Sequence, residues 1–206
     1  MNQIIKKPWG REHLAFQNEE VAIWVLEIQQ GHATSLHAHP HKNTALVVLR
    51  GEVELHFIRG QPIRFRGLDK INVFRGRFHQ TQAVTNATLL EVETGDKQDI
   101  LRLEDKYGRK DAPLESETEQ SNSCFRLDKS IESTFAECQM KIVGPTSSAL
   151  LEQDERTVFI VLRGGLAGGL LPPGDAIDGY TMRLLAQRFP PLPKSEFLMI
   201  WKMDVP

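Results

Sequence analysis

The string TALVVLRG at Thr44–Gly51 returns as TVFIVLRG at Thr157–Gly164, identical at five of eight positions and displaced by 113 residues. The same displacement carries Gly31 onto Gly144. A later turn recurs after a shorter loop, Gly67/Asp69 in the first half against Gly174/Asp175 in the second. A period this long is the size of a domain, so it reads as duplication and not as a solenoid. The chain has 206 residues, a length that alone allows one large domain or two small ones. The repeat selects two.

The units being duplicated are built of strands. Val21–Ile28 is rich in β-branched and aromatic residues, and Ala45–Leu49 is a buried-type run closed by Gly51. In Glu52–Ile58, Val53, Leu55 and Phe57 alternate with Glu52, Glu54 and His56. Ile71–Phe74 and Thr88–Glu93 follow, with Gly31, Gly51, Gly60, Gly67 and Gly76 as punctuation. Short strands between regularly spaced turn signals indicate a β-sandwich or barrel. The tract Asp99–Lys110 reads as more helical, ending near Gly108. Lys110–Ser123 loses its aromatic and β-branched aliphatic residues and fills with Glu, Ser and Pro, the composition of a solvated linker. The expected organisation is a first domain over 1–110, a linker over 111–123 and a second domain over 124–206.

Composition removes several classes. Hydrophobic residues are 40% and charged residues 25%, with a formal charge of −2, so no basic excess recommends nucleic acid as a partner. The longest apolar run is Val21–Leu26, six residues, against the roughly 20 a helical span needs; no membrane partner is expected. The start MNQIIKKPWG lacks an apolar signal region, and a cytoplasmic protein is expected. Two cysteines, Cys124 and Cys138, make no disulfide framework; without a neighbouring His or a CxxC spacing they read as inert reduced thiols.

Histidine is the informative residue. All seven (His13, His32, His37, His39, His41, His56 and His79) lie in the first 79 residues. The displacement of 113 maps His37, His39 and His41 onto Leu150, Glu152 and Asp154, so the second copy loses the imidazoles. On an extended strand His37 and His39 share a face, joined by His41 if Pro40 does not turn the chain. Two imidazoles can converge on one ion, a third ligand must come from a neighbouring strand, and His79 is the only later histidine. Imidazole suits Zn, Fe, Cu and Ni, and a carboxylate broadens the choice towards Mn.

These residues resemble the cupin pattern. The first cupin motif is G-x5-H-x-H-x3–4-E-x6-G; Gly31, His37, His39, Thr44 and Gly51 keep its spacing, with Thr44 where the metal glutamate is usual. Of the second motif, G-x5-P-x-G-x2-H-x3-N, Gly76 and His79 remain, while Phe74 stands at the proline and Ala83 at the asparagine. The resemblance implies an all-β chain of two cupin-type (double-stranded β-helix, jelly-roll) barrels in tandem, the second degenerate. It implies a divalent metal (Zn, Fe, Mn or Ni) on His37, His39 and His79, with His41 as a possible fourth contact.

A narrower resemblance is to the type II mannose-6-phosphate isomerase cupin domain. It rests on Lys7-Pro8-Trp9-Gly10, on Ser35-Leu36 before the histidine cluster, and on Glu91–Gly95 followed by Arg102–Arg109. It implies a sugar or sugar-phosphate ligand, with Lys7, Trp9, Arg102, Tyr107 and Arg109 as substrate-binding candidates; arginine forks match phosphate oxygens. Glu54 and His56 share a strand face and are the candidates for moving a proton. Alternatives are a three-histidine Fe(II) dioxygenase and a non-enzymatic sugar-binding module. A homodimer is expected, because exposed sheet edges invite pairing.

Overall fold

The computed structural model describes residues 2–95, 99–108, 117–121 and 123–203. Its first half contains β1 (Asn2–Lys7), β2 (Gly10–Gln17), β3 (Val21–Ile28), β4 (Leu36–Ala38), β5 (Thr44–Arg50), β6 (Glu52–Phe57), β7 (Ile63–Arg66), β8 (Lys70–Val73), β9 (His79–Ala83), β10 (Ala87–Thr94) and β11 (Leu101–Glu104). β12 (Thr118–Ser121) follows, and then β13 (Ser133–Phe135), β14 (Cys138–Val143), α1 (Ala149–Glu152), β15 (Thr157–Arg163), β16 (Ala176–Asp178), α2 (Gly179–Arg188) and β17 (Glu196–Lys202). Among the described residues no helix is long and apolar enough to cross a membrane.

The first module is two facing antiparallel sheets, ordered β12-β1-β2-β3-β10-β5-β8 and β11-β4-β9-β6-β7. Alternation along each strand sets what lies between them. Trp9, Leu26, Ile28, Val48, Val53 and Leu89 point inward and form an interior cluster. The intervening residues of the larger sheet, Ile23, Val25, Val47, Leu49, Leu90 and Val92, form its outer face, and they too are buried.

What buries them is the second module. Its single sheet, β13-β14-β17-β15-β16, packs Met140, Val158, Ile160, Leu162, Leu198 and Ile200 against that outer face. The order repeats β2-β3-β10-β5-β8 strand for strand. Val48 N donates to Asp69 O and Leu68 N to Val48 O; 113 residues later Val161 N donates to Asp175 O and Gly174 N to Val161 O. The repeat's closing glycines are both left-handed, Gly51 at φ 81° and Gly164 at φ 76°. A side chain at Gly51 would meet Asn86 O at 2.3 Å, and one at Gly164 would meet Ser195 Oγ at 2.5 Å.

The degeneracy of the second barrel takes a definite form. It has one sheet and two helices: in chain order α1 falls between β14 and β15 as β4 falls between β3 and β5, and α2 between β16 and β17 as β9 falls between β8 and β10. Leu150 of α1 and Met182 of α2 fill the space over Phe159, Val161 and Phe197. The position equivalent to His37 is thus a fully buried plug.

Two expectations change. The stretch Asp99–Lys110 is not helical where described: Leu101–Glu104 is an edge strand, with Arg102 opposite His37. Alternation won, because Leu101 and Leu103 face solvent while Arg102 turns inward. Of the expected linker, 111–116 and residue 122 lie outside the described residues, and Thr118–Ser121 pairs with β1 as a sheet edge.

Candidate metal centre and cavity

Three histidines and one carboxylate converge inside the first module. The ligand atoms of His37, His39, His79 and Glu91 all lie within 4.8 Å of one another. Ring centroids are 4.5 Å apart for His37 and His79, 5.0 Å for His37 and His39, and 5.9 Å for His39 and His79. Strand pairing builds the group: His37 of β4 lies opposite His79 of β9, and β10 supplies Glu91 from the facing sheet.

Backbone carbonyls fix the rings. His37 Nδ1 donates to Ser35 O at 2.8 Å and His79 Nδ1 to Arg77 O at 3.1 Å, and His39 Nδ1 donates to Asp99 O. With each proton committed to Nδ1, each Nε2 carries its lone pair toward the cluster, the arrangement usual for metal-bound imidazole. His39 Nε2 and His79 Nε2 are buried with no hydrogen-bond partner. Leaving a buried polar atom unsatisfied costs about 1–3 kcal/mol, which a cation at the centre offsets. The donor set therefore fits a divalent ion of the Zn, Fe, Mn or Ni kind.

Burial also governs protonation. It pushes His37 well below the ordinary imidazole value of 6.5, lowers His79, and takes His39 to about 4 with Lys42 adding to the effect. Glu91 moves the other way, up to about 8, through burial and then the neighbouring Glu93.

These shifts set the acid response of chelator-treated protein. A histidine with a lowered folded pKa takes up a proton on unfolding, so its contribution is present above 6.5 and is lost on acidification below that, for His39 as pH falls toward 4. The slope is at most ~1.4 kcal/mol per pH unit per histidine. Glu91 has the opposite sign: its contribution is full below 4.5 and is lost as pH rises toward 8. Three histidines outweigh one carboxyl in the shared window. Metal-free protein should therefore be most stable near pH 6.5 in denaturant titrations. Stability rising steadily on acidification below pH 6 would contradict the assignment.

The centre opens into a cavity of about 310 Å³. Its walls include Trp9, Trp24, Leu26, Leu46 and Ile100, and its charged side chains are Lys7, Glu12, Glu91, Glu93 and Arg102. Two ion pairs are built in. Lys42 Nζ lies 2.6 Å from Glu93 Oε1, and Lys7 Nζ lies 3.2 Å from Glu12 Oε1. Charges this deep are tolerated only when paired.

The residues singled out from sequence divide sharply. His37, His39 and His79 meet at the centre, and Lys7, Trp9 and Arg102 line the cavity. His41 is exposed and outside the cluster; Pro40 turns the chain, and the His41 N–H is held by the Asp99 carboxylate. Glu54 and His56 do not line the cavity. Val53 and Leu55 take the inward parity of β6, leaving Glu54 on the outer face with Arg64 Nη2 2.8 Å away. Tyr107 is also off the cavity lining, its hydroxyl 3.0 Å from His32 Nδ1. Arg109 lies outside the described residues.

Sequence reasoning missed Glu91, Glu93, Glu12 and Lys42. Thr44 does stand where the motif glutamate is usual, but its β10 partner is Glu93, and Glu91 lies opposite Leu46. The missing carboxylate is supplied from the next strand. The signal was present: Glu91 and Glu93 share the parity of inward-facing Leu89, while Leu90 and Val92 share the other.

No protein-family model matches the chain, and no curated protein matches it. Solved structures do. A Klebsiella pneumoniae protein with a double-stranded β-helix domain is 18% identical with a TM-score of 0.42, over 46% of this chain and 84% of that one. KdgF from Halomonas sp. is 13% identical with a TM-score of 0.42, over 45% and 86%. A cupin superfamily protein from Desulfitobacterium hafniense is 20% identical with a TM-score of 0.38, over 41% and 76%. On its own sheet order, the first module has a cupin-type, double-stranded β-helix fold, and the single sheet that follows repeats the strand order of its larger sheet.

Proposed function

We propose that the first module is a divalent-metal cupin acting on a small polyhydroxylated anion, a phosphorylated sugar or sugar derivative, in the manner of a sugar-phosphate isomerase. The observation that carries the metal part is the set of three Nδ1–H groups tied to backbone carbonyls, which leaves three Nε2 lone pairs and Glu91 converging. His37, His39, His79 and Glu91 would hold the ion. A bound divalent ion supplies Lewis-acid polarisation of a carbonyl or hydroxyl oxygen.

The chain's own residues do the rest. Arg102, opposite His37, offers a guanidinium to an anionic group. Trp9 and Trp24 give flat walls suited to the apolar face of a sugar ring. Glu12, beside Lys7, is a carboxylate within the cavity that can accept a proton from carbon or oxygen, the role that Glu54 and His56 cannot fill from outside. Glu91 also favours this reading over a three-histidine dioxygenase, because the cluster is not of neutral imidazoles alone.

The test is proton exchange. Metal-loaded protein incubated with hexose 6-phosphates in deuterated water should incorporate deuterium at the carbon next to the carbonyl, and Arg102→Ala should raise KM at least tenfold. Substrate-dependent oxygen uptake by iron-loaded protein, with no deuterium incorporated, would transfer the assignment to the dioxygenase reading.

A further inference from the structure

The chain carries a second feature that the cavity does not use. Two turns meet at one end of the first barrel. The β6–β7 turn spans 58–62 and the β8–β9 turn spans 74–78, and the register Phe57↔His79 brings their bases together. Arg77 ties them, its guanidinium 4.8 Å over the Phe57 ring. Phe74 and Ile58 in the turns, and Ile63 at the start of β7 beside them, are 62%, 57% and 46% exposed. Phe74 is the most exposed large apolar side chain among the described residues, and Ile58 is within one per cent of the second.

Around them lie Arg59, Arg75 and Arg77, all exposed. Among the described residues none of the three forms an ion pair. Neither turn contains an acidic residue, although the whole chain is net negative. Arg64, at the start of β7, is already taken by Glu52 and Glu54. None of these turn residues lines the metal cavity, whose wall includes β1, β12 and the Arg102 strand.

From this juxtaposition we infer that the paired turns form a peripheral docking surface for an anionic lipid bilayer. Ile58, Ile63 and Phe74 enter the headgroup–acyl boundary, and Arg59, Arg75 and Arg77 contact lipid phosphates and carboxylates. Protruding apolar tips ringed by guanidinium groups match an interface that is apolar below and anionic at its surface. A nucleic-acid strand is the poorer match: two of the three tips are aliphatic and offer no stacking surface, and three arginines neutralise few phosphates. The expectation of no membrane partner rests only on the lack of an apolar run long enough to span, and this surface requires none.

The experiment is co-sedimentation of the full chain with vesicles of phosphatidylcholine, with and without phosphatidylserine. Binding is expected only with phosphatidylserine and should fall as salt rises. Arg59→Glu/Arg75→Glu should lower the partition coefficient by about tenfold or more, given about fivefold per basic residue near the surface. Phe74→Ser should weaken binding while keeping its salt dependence. Both variants should match the wild type in thermal midpoint and metal content, since none of the three changed side chains enters the core or the metal centre. Equal binding to neutral vesicles, undiminished binding by the charge-reversed variant, or tighter binding to a single-stranded oligonucleotide than to vesicles would each overturn the inference.

Discussion

Ile160→Asp is expected to unfold the whole chain, not the second module alone. Ile160 is fully buried between the two modules, within the cluster that includes Val47, Leu90 and Leu198. An unpaired carboxylate there has no donor to receive it and costs at least ~4 kcal/mol. That approaches the lower end of the ~5–15 kcal/mol by which ordinary domains are stable. The outer face of the large sheet belongs to the first module, so losing its cover exposes Ile23, Val25, Val47, Leu49, Leu90 and Val92 together. A single denaturation transition by circular dichroism, shifted strongly in the variant, is the predicted observation. An intact, metal-competent first module in that variant would show that the modules are energetically independent.

The second large effect concerns Glu91. Glu91→Gln keeps size and shape but replaces the only carboxylate in the ligand cluster with a neutral amide. Loss of an outer partner of a metal ligand typically costs 10–100-fold in affinity, so loss of a ligand is expected to exceed about 100-fold. Competition with a chromogenic chelator measures it. Glu54→Gln, on the outer face of the same barrel, should leave affinity unchanged. Equal loss in both variants would mean that Glu91 acts through stability and not through coordination.

Most of the fold is legible in the sequence because strand alternation and glycine turns are local signals. Val21–Ile28, Ala45–Leu49 and Thr88–Glu93 all fall within observed strands. The repeat is legible for the same reason: the β5 and β15 strings carry the sheet centre and its positive-φ turn. Helices α1 and α2 were not anticipated, since a lost sheet leaves no pattern of its own and the replacement is known only by what it fills. The 99–108 tract misled because its density of charge and its Gly108 stop read as helical composition, whereas Leu101 and Leu103 alternate with Arg102 and Glu104 at the two-residue period of a strand.

At the site, the histidine trio follows from motif spacing, but the fourth ligand does not. Reading Thr44 as a lost ligand treats one strand in isolation; the sheet places β10 beside β5, and Glu91 takes the role from one strand away. The choice of Glu54 and His56 shows the complementary failure. Parity tells which residues share a face, but not which face looks inward. Val53 and Leu55 decide that, since both are buried and Val53 joins the interior cluster.

Elemental analysis of purified protein beside His37→Ala/His39→Ala tests the central claim most directly. The account predicts one divalent transition-metal ion per wild-type chain and none in the variant. Both proteins should remain folded, because neither alanine leaves a buried charge unpaired. Wild-type protein that emerges folded but metal-free, and stays so after incubation with zinc, iron, manganese and nickel in turn, would contradict it.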